Sequence, residues 1–191
     1  MILSVRDFRR EIDEALLSDR HIPKQEALSW IERANDIRTL SKLYRLTRER
    51  YYQIQPDLGK EATCGLIQRY LLQCIEENVV DDDEIEDRWE AAQALHLWFC
   101  QLIRRDDTSD VLRAAARAIA DAFLAGNEEI RNVIEAGFLE HALETEALRP
   151  YFEHWSTDSH LREAWERALE WGKAHPDFTW GLLQQIPKPK A

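Results

Sequence analysis

Apolar residues return at three- and four-residue steps along almost the whole chain, from Val5, Phe8, Ile12 and Leu16 to Leu161, Trp165, Ala168 and Leu169. That spacing follows the 3.6-residue turn of an α-helix and gathers such positions on one face, whereas a half-buried strand needs alternation at every second residue. Residues that break helices are sparse, six Gly and six Pro in 191, and Ala, Leu, Glu and Arg fill the stretches between them. Those four residue types lose little rotamer freedom in a helix. The predicted fold class is therefore all-α, with about eight to ten helices.

Punctuation divides the pattern. Ser4 is placed to cap a first helix that stops near Ser18. Pro23 suits the first turn of a second helix that buries Ala27, Leu28, Ile31 and Ala34, with Trp30 at the border of that face. Beyond Asn35 and Asp36, the set Ile37, Leu40, Leu43, Tyr44, Thr47, Tyr51 and Ile54 predicts one long helix closed by Pro56. A broad stripe around Cys64, Ile67, Leu71 and Cys74 marks a central helix over 60–77. Asp81, Asp82, Asp83 and Glu84 are expected at the positive end of the most hydrophobic helix, which extends to Arg104. Thr108 or Ser109 begins a segment whose Ala114, Ala115, Ala118 and Ala122 allow a neighbour to approach, and Gly126 and Asn127 end it. Gly137 interrupts 128–144 and predicts two short helices or a kink at Ala136–Gly137. Pro150 opens a short turn, Asp158 or Ser159 caps a last helix with Leu161, Trp165, Ala168 and Leu169 inward, and Pro176 stops it.

No stretch rich in Gly, Ser or Pro separates these segments, so residues 1–186 are read as a single all-helical domain and 187–191 as a flexible C-terminal tail. Short connections favour antiparallel neighbours, which fits a compact bundle or a short α-solenoid-like stack of helix pairs. The stretch from Asn132 to Glu140, Asn-Val-Ile-Glu-Ala-Gly-Phe-Leu-Glu, resembles the helix–glycine–helix corner of armadillo-type repeats.

Cys64, Cys74 and Cys100 are odd in number, lie in apolar helical patterns and lack Cys-x-x-Cys spacing, so buried thiols in a reducing compartment are expected. The longest uncharged stretch, Ala91 to Ile103, is about half to two thirds of a bilayer-spanning length, which predicts a core helix and no membrane partner. Ser4, Asp7, Arg9, Arg10 and Glu11 interleave with Val5, Phe8 and Ile12, unlike a secretory signal, and the expected location is cytoplasmic. The net charge of -11 is uneven: residues 1–75 hold 13 basic and 11 acidic side chains, and residues 76–191 hold 12 and 25. Such a field repels phosphate backbones, so no nucleic-acid partner is expected, and it steers cationic proteins inward.

Several constellations bear on chemistry. The run Asp81-Asp82-Asp83-Glu84-Ile85-Glu86-Asp87 contains D-D-x-x-E and D-E-x-x-D spacings, which on a helix let carboxylates share magnesium, as in isoprenoid synthases. The companion segment at Asn35–Thr39 lacks a Glu at 43, and solvated acids at a helix start are the simpler reading. His154, Asp158 and His160, with His141 or His175, form the closest histidine group, but no H-E-x-x-H or E-x-x-H motif accompanies them, so no metal or cofactor is assigned. His96, among Leu95, Leu97, Trp98 and Phe99, is expected as a buried imidazole bonded to a backbone carbonyl. Without a nucleophile elbow, a cysteine-protease pattern or a phosphate-cradling loop, no catalytic residue is assigned and a non-enzymatic role is favoured. The basic face Arg38, Lys42, Arg45 and Arg48 suits an anionic ligand or the chain's own acidic half.

Aromatic residues concentrate toward the C-terminus, among them Trp155, Trp165, Trp171 and Trp180. Aromatic anchors inside an acidic rim suit a protein partner with a basic surface. The candidate partner-binding set is Glu163, Glu166, Glu170, Trp171, Asp177 and Trp180. The expected function is an acidic cytoplasmic protein–protein interaction module of the immunity or antitoxin type, which occludes a basic partner. The alternatives are an α-solenoid adaptor of the HEAT or armadillo kind, and a helical metalloenzyme with histidine and carboxylate ligands.

Overall fold

The apolar spacing becomes nine α-helices among the residues that the computed structural model describes, 5–175. The chain is all-α; the one pairing of strands among the described residues is two residues long. Backbone contacts gather the chain into two compact units, 1–74 with 79–85, and 75–78 with 86–191. The tail at 187–191 lies outside the described residues.

In the first unit α1 (Val5–Leu17), α2 (Lys24–Arg33), α3 (Ile37–Glu49) and most of α4 (Lys60–Glu77) bury Phe8, Ile12, Trp30, Leu40, Leu43, Leu66 and Leu71. Ser4, the expected cap of α1, lies outside the described residues. Trp30 is a core residue, 2% exposed, where a border position was expected. Asp36 caps α3 by accepting from the Thr39 amide at 3.1 Å and the Thr39 hydroxyl at 2.7 Å. The same carboxylate accepts from Arg9 at 2.7 Å, so the cap also ties α1 to α3. The expected long helix to Pro56 stops at Glu49. A 3-10 turn at Tyr51–Gln53 follows, then β1 (Ile22–Pro23) and β2 (Ile54–Gln55) pair in parallel. Ile54 is thus buried beside Ile22, while Tyr51, expected inward, is 68% exposed.

The acidic run is not helical. Ile85 is buried and its amide closes a turn on the Asp82 carbonyl at 2.9 Å, so α5 (Arg88–Leu102) begins only after Asp87. Asp87 accepts from the Trp89 and Glu90 amides, both at 2.8 Å, and Glu90 returns a bond to the Asp87 amide at 3.1 Å. This capping box outweighs a general preference of acids for the helix start and sets the register. Because 81–86 are not on one helix face, the D-D-x-x-E and D-E-x-x-D spacings do not stack their carboxylates.

The second unit contains α5, α6 (Ser109–Ala125), α7 (Glu128–Asn132), a π-helical segment (Val133–Leu139), α8 (Glu140–Glu144), a 3-10 run (Glu146–Thr157) and α9 (Arg162–Ala174). Phe99, Phe138, Phe152 and Trp155 form its centre, with Phe99 and Phe138 ring centroids 5.1 Å apart and Phe99 and Phe152 5.7 Å apart. Each such ring contributes roughly 2–3 kcal/mol by burial, plus about 1 kcal/mol from the edge-on pairings. On α6 the buried small residues are Ala115, Ala116, Ala120 and Ala122; Ala114 is exposed, because Leu112, Ile119 and Phe123 set the buried face. Thr108 stands at the N-cap of α6, but its hydroxyl donates to the Leu102 and Arg105 carbonyls. The interruption expected at Gly137 is the π segment, where the Trp89 ring lies close enough that an added Cβ would sit 3.0 Å from Trp89 Cε3.

Candidate functional site

The inner face of α9 is Ala164, Ala168 and Gly172, at four-residue steps, and it rests on α8. At Gly172 the two backbones approach so closely that an added Cβ would lie 2.5 Å from the Leu143 carbonyl carbon. The opposite side of α9 therefore faces out. Glu163, Glu166 and Glu170 are exposed there, and Trp171 keeps 41% of its surface. Asp177 and Trp180, the other members of the predicted set, lie outside the described residues.

Trp171 is held in place although half of it is open. Its indole N–H donates to Glu144 Oε1 at 3.4 Å, and its ring stacks on His175 with centroids 4.0 Å apart. The exposed carboxylates of α9 differ in their pairing. Arg167 forks onto Glu135 at 2.6 and 2.8 Å and stands 3.7 Å from Glu163, whereas Glu166 and Glu170 make no ion pair among the described residues. Glu140, half-buried on α8, has its pKa raised by burial first and by Glu135 next.

Behind Trp171 lies a polar array that the sequence patterns did not assemble. Glu144, 5% exposed, accepts from His141 Nδ1 at 2.9 Å through the oxygen that also receives the indole N–H, while its Oε2 is buried without a hydrogen-bond partner. The His141 ring lies 5.8 Å from that of His96, and His96 Nε2 is 3.2 Å from Cys100 Sγ. His96 is buried as expected, but its recorded side-chain partner is this thiol, four residues on, and not a backbone carbonyl. Burial, with the charge of His141 second, lowers His96 to about 4, and burial pushes Cys100 up to about 11. Near neutral pH the pair is thus a protonated thiol against an uncharged imidazole, with the direction of their hydrogen bond set by the ring tautomer. A thiolate nucleophile requires the reverse arrangement, with the proton on the ring and an open approach. The spacings His96–Cys100 and His141–Glu144 are visible in the sequence; their meeting across helices is not.

The remaining predicted clusters have local roles. Asp158 accepts from the His160 and Leu161 amides at 2.8 and 3.3 Å at the entry to α9, and His154 and His160 are exposed. Among the described residues no group of three or more His, Cys, Asp or Glu side chains is arranged to hold a metal ion. In the first unit the basic face of α3 takes up the acidic run: Arg38 lies 3.2 Å from Asp82, Arg45 donates to Glu84 at 2.7 Å, and the Ser41 hydroxyl donates to the Glu84 carbonyl. Among the described residues no helix is long and apolar enough to cross a membrane. Comparison with protein-family models, curated proteins and solved structures gave no match.

Proposed function

We propose that this chain is a cytoplasmic protein–protein interaction module that holds a cationic partner on the outer face of α9, in the manner of an immunity or antitoxin protein that occludes its target. The observation that carries this reading is the coincidence, on one helix, of Glu166 and Glu170, which make no ion pair among the described residues, with Trp171, a half-open ring held by Glu144 and His175. A pre-positioned aromatic loses little side-chain entropy on binding and can act as the anchor, while the exposed carboxylates of the same helix steer a basic surface and reject acidic ones. Glu163 belongs to the same rim, its charge shared with Arg167.

The test compares the full chain with its Glu163→Lys/Glu166→Lys/Glu170→Lys variant. Both are used to capture proteins from native lysate at low and at physiological salt, with circular dichroism confirming that both are folded. The parent is expected to retain basic proteins in a salt-sensitive manner, and the reversed variant to lose them, with association slowed about tenfold or more. Recovery of the same proteins by both chains would remove α9 as the binding face.

A further inference from the structure

We propose that the second unit carries a binding site for a small planar carboxylate, in a cleft of about 300 Å³ lined by Asn78, Arg88, Trp89, Glu129, Asn132 and Val133. This site is separate from the α9 face and does not depend on the function proposed for it.

Arg88 is the first observation. It is only 8% exposed, and its guanidinium is held at two points, Nε donating to the Ile75 carbonyl at 2.6 Å and Nη2 to the Glu76 carbonyl at 3.3 Å. Those bonds satisfy the carbonyls at the end of α4 and fix the plane of the guanidinium, so that Nη1 is presented as a pre-positioned donor. Nη1 donates to Glu129 Oε2 at 2.9 Å, but the Glu129 side chain is 77% exposed. A solvated carboxylate gains little from such a pair, so a ligand carboxylate with a better-packed body can take its place.

Trp89 supplies that packing. It is 45% exposed, and Gly137 allows its ring to lie against the π segment, since a Cβ there would meet the ring at 3.0 Å. Amide groups complete the donor set. Asn78, in the left-handed region at φ 51°, accepts the Arg88 backbone amide at 3.3 Å through Oδ1, which leaves its NH2 free of that bond, and Asn132 is an exposed amide at the rim. A fixed guanidinium, amide donors and one aromatic wall are complementary to a planar anion. The volume lies at the small end of ligand sites and suits one ring bearing a carboxylate. A phosphate dianion fits less well, because Glu129 borders the site and the unit around it is strongly acidic. The amides at the start of α5 are already taken by Asp87, so the anion's partner is the guanidinium and not the helix terminus.

The test uses benzoate as the probe and benzamide as its uncharged isostere, with calorimetry on the full chain and the indole N–H resonance of Trp89, assigned through Trp89→Phe, as the local readout. Glu129→Gln removes the internal competitor at an exposed position and leaves the fold in place. Benzoate is expected to bind Glu129→Gln about fivefold more tightly than the parent and to shift the Trp89 resonance in both. Asn132→Ala is expected to weaken benzoate a few-fold, and benzamide to leave the resonance unmoved. Either of two results overturns the proposal: no benzoate binding to Glu129→Gln, or benzamide binding as well as benzoate.

Discussion

Replacing Gly172 by Ala and Gly65 by Ala should move stability in opposite directions, although both residues lie inside long helices where Ala is intrinsically preferred by about 1 kcal/mol. In α4, Gly65 is exposed and an added Cβ meets nothing within 4 Å. Gly65→Ala should therefore stabilise by roughly 0.5–1 kcal/mol, part of it through the restricted unfolded chain. At Gly172 the added Cβ would lie 2.5 Å from the Leu143 carbonyl carbon, 2.6 Å from its oxygen and 2.8 Å from the Glu144 nitrogen. Non-bonded carbon contacts are comfortable at about 3.5–4.0 Å, and these neighbours are backbone, so no rotamer change relieves the clash. Relief requires α9 to lift by about 1 Å along the face that includes Ala164 and Ala168, and overpacking of this kind costs roughly 1–3 kcal/mol or more. With three backbone contacts too short (2.5, 2.6 and 2.8 Å) the upper part of that range, roughly 2–3 kcal/mol, applies, and subtracting the helix preference of about 1 kcal/mol leaves a net loss of about 1–2 kcal/mol, which for a chain of this length lowers Tm by roughly 2–8 °C. Urea unfolding followed by circular dichroism measures both variants, and an unchanged m-value shows that the shift is in stability alone. A Gly172→Ala protein as stable as the parent, with Gly65→Ala no better, would mean that the α8–α9 approach is looser than these distances imply.

Two predictions concern the buried pair in α5. His96 titrates at about 4 in the folded chain against 6.5 ordinarily, so on acidification the unfolded chain binds the proton first. Its contribution is fully present above pH 6.5 and is lost as pH falls toward 4, roughly 3 kcal/mol in all; a urea-midpoint series in that window should show it, and His96→Leu should flatten the profile. Parent and His96→Leu profiles that run parallel would contradict this. Cys100 has the opposite dependence: its folded value of about 11 lies above the ordinary 9.0, so the unfolded chain loses the proton first and stability falls as pH rises from 9 to 11. At mildly alkaline pH, labelling of Cys100 by a thiol-reactive disulfide, located by mass spectrometry, should be no faster than the opening of the fold. Fast labelling of the native chain would show the thiol to be accessible and ionised.

Local periodicity carried most of the fold because it is a property of neighbours in sequence. The helix over 60–77 and the interruption at Gly137 were both legible from apolar spacing and one small residue. Where a distant partner decides, that signal misleads. Tyr51 and Ile54 continue the helical period of α3, yet Ile54 is drawn into a strand by Ile22, and no local pattern encodes that pairing. The start of α5 was placed too early for a similar reason: Ile85 is buried in the first unit and Arg38 and Arg45 hold Asp82 and Glu84, so only Asp87 remains to cap the helix. At the α9 site the exposed acids could be read as the complement of the face carrying Leu161 and Ala168. The array behind them could not, because it joins side chains from α5, α8 and α9 whose spacing in sequence follows no helical repeat.

That rearrangement also changes where the charge asymmetry lies. Read along the sequence, the acids from Asp81 to Glu84 belong to an acidic C-terminal half; in the fold they belong to the first unit, which then holds 13 basic and 15 acidic residues, against 12 and 21 in the second. Within the first unit the opposite charges are interleaved at contact, as Arg38 with Asp82, Arg45 with Glu84 and Arg9 with Asp36, so their fields largely cancel beyond the first layer of water. In the second unit the cation–carboxylate pairing of Arg167 with Glu135 consumes one carboxylate that is itself mostly buried, and leaves Glu166 and Glu170 exposed with no ion pair among the described residues. Net charge alone would have favoured any acidic stretch equally as the place for a basic partner. The pairing pattern discriminates: in the run 81–84, although it is the densest acidic segment in the chain, Asp82 and Glu84 are committed to Arg38 and Arg45, whereas Glu166 and Glu170 make no ion pair among the described residues and share α9 with Trp171, an exposed tryptophan that is both hydrogen-bonded and stacked.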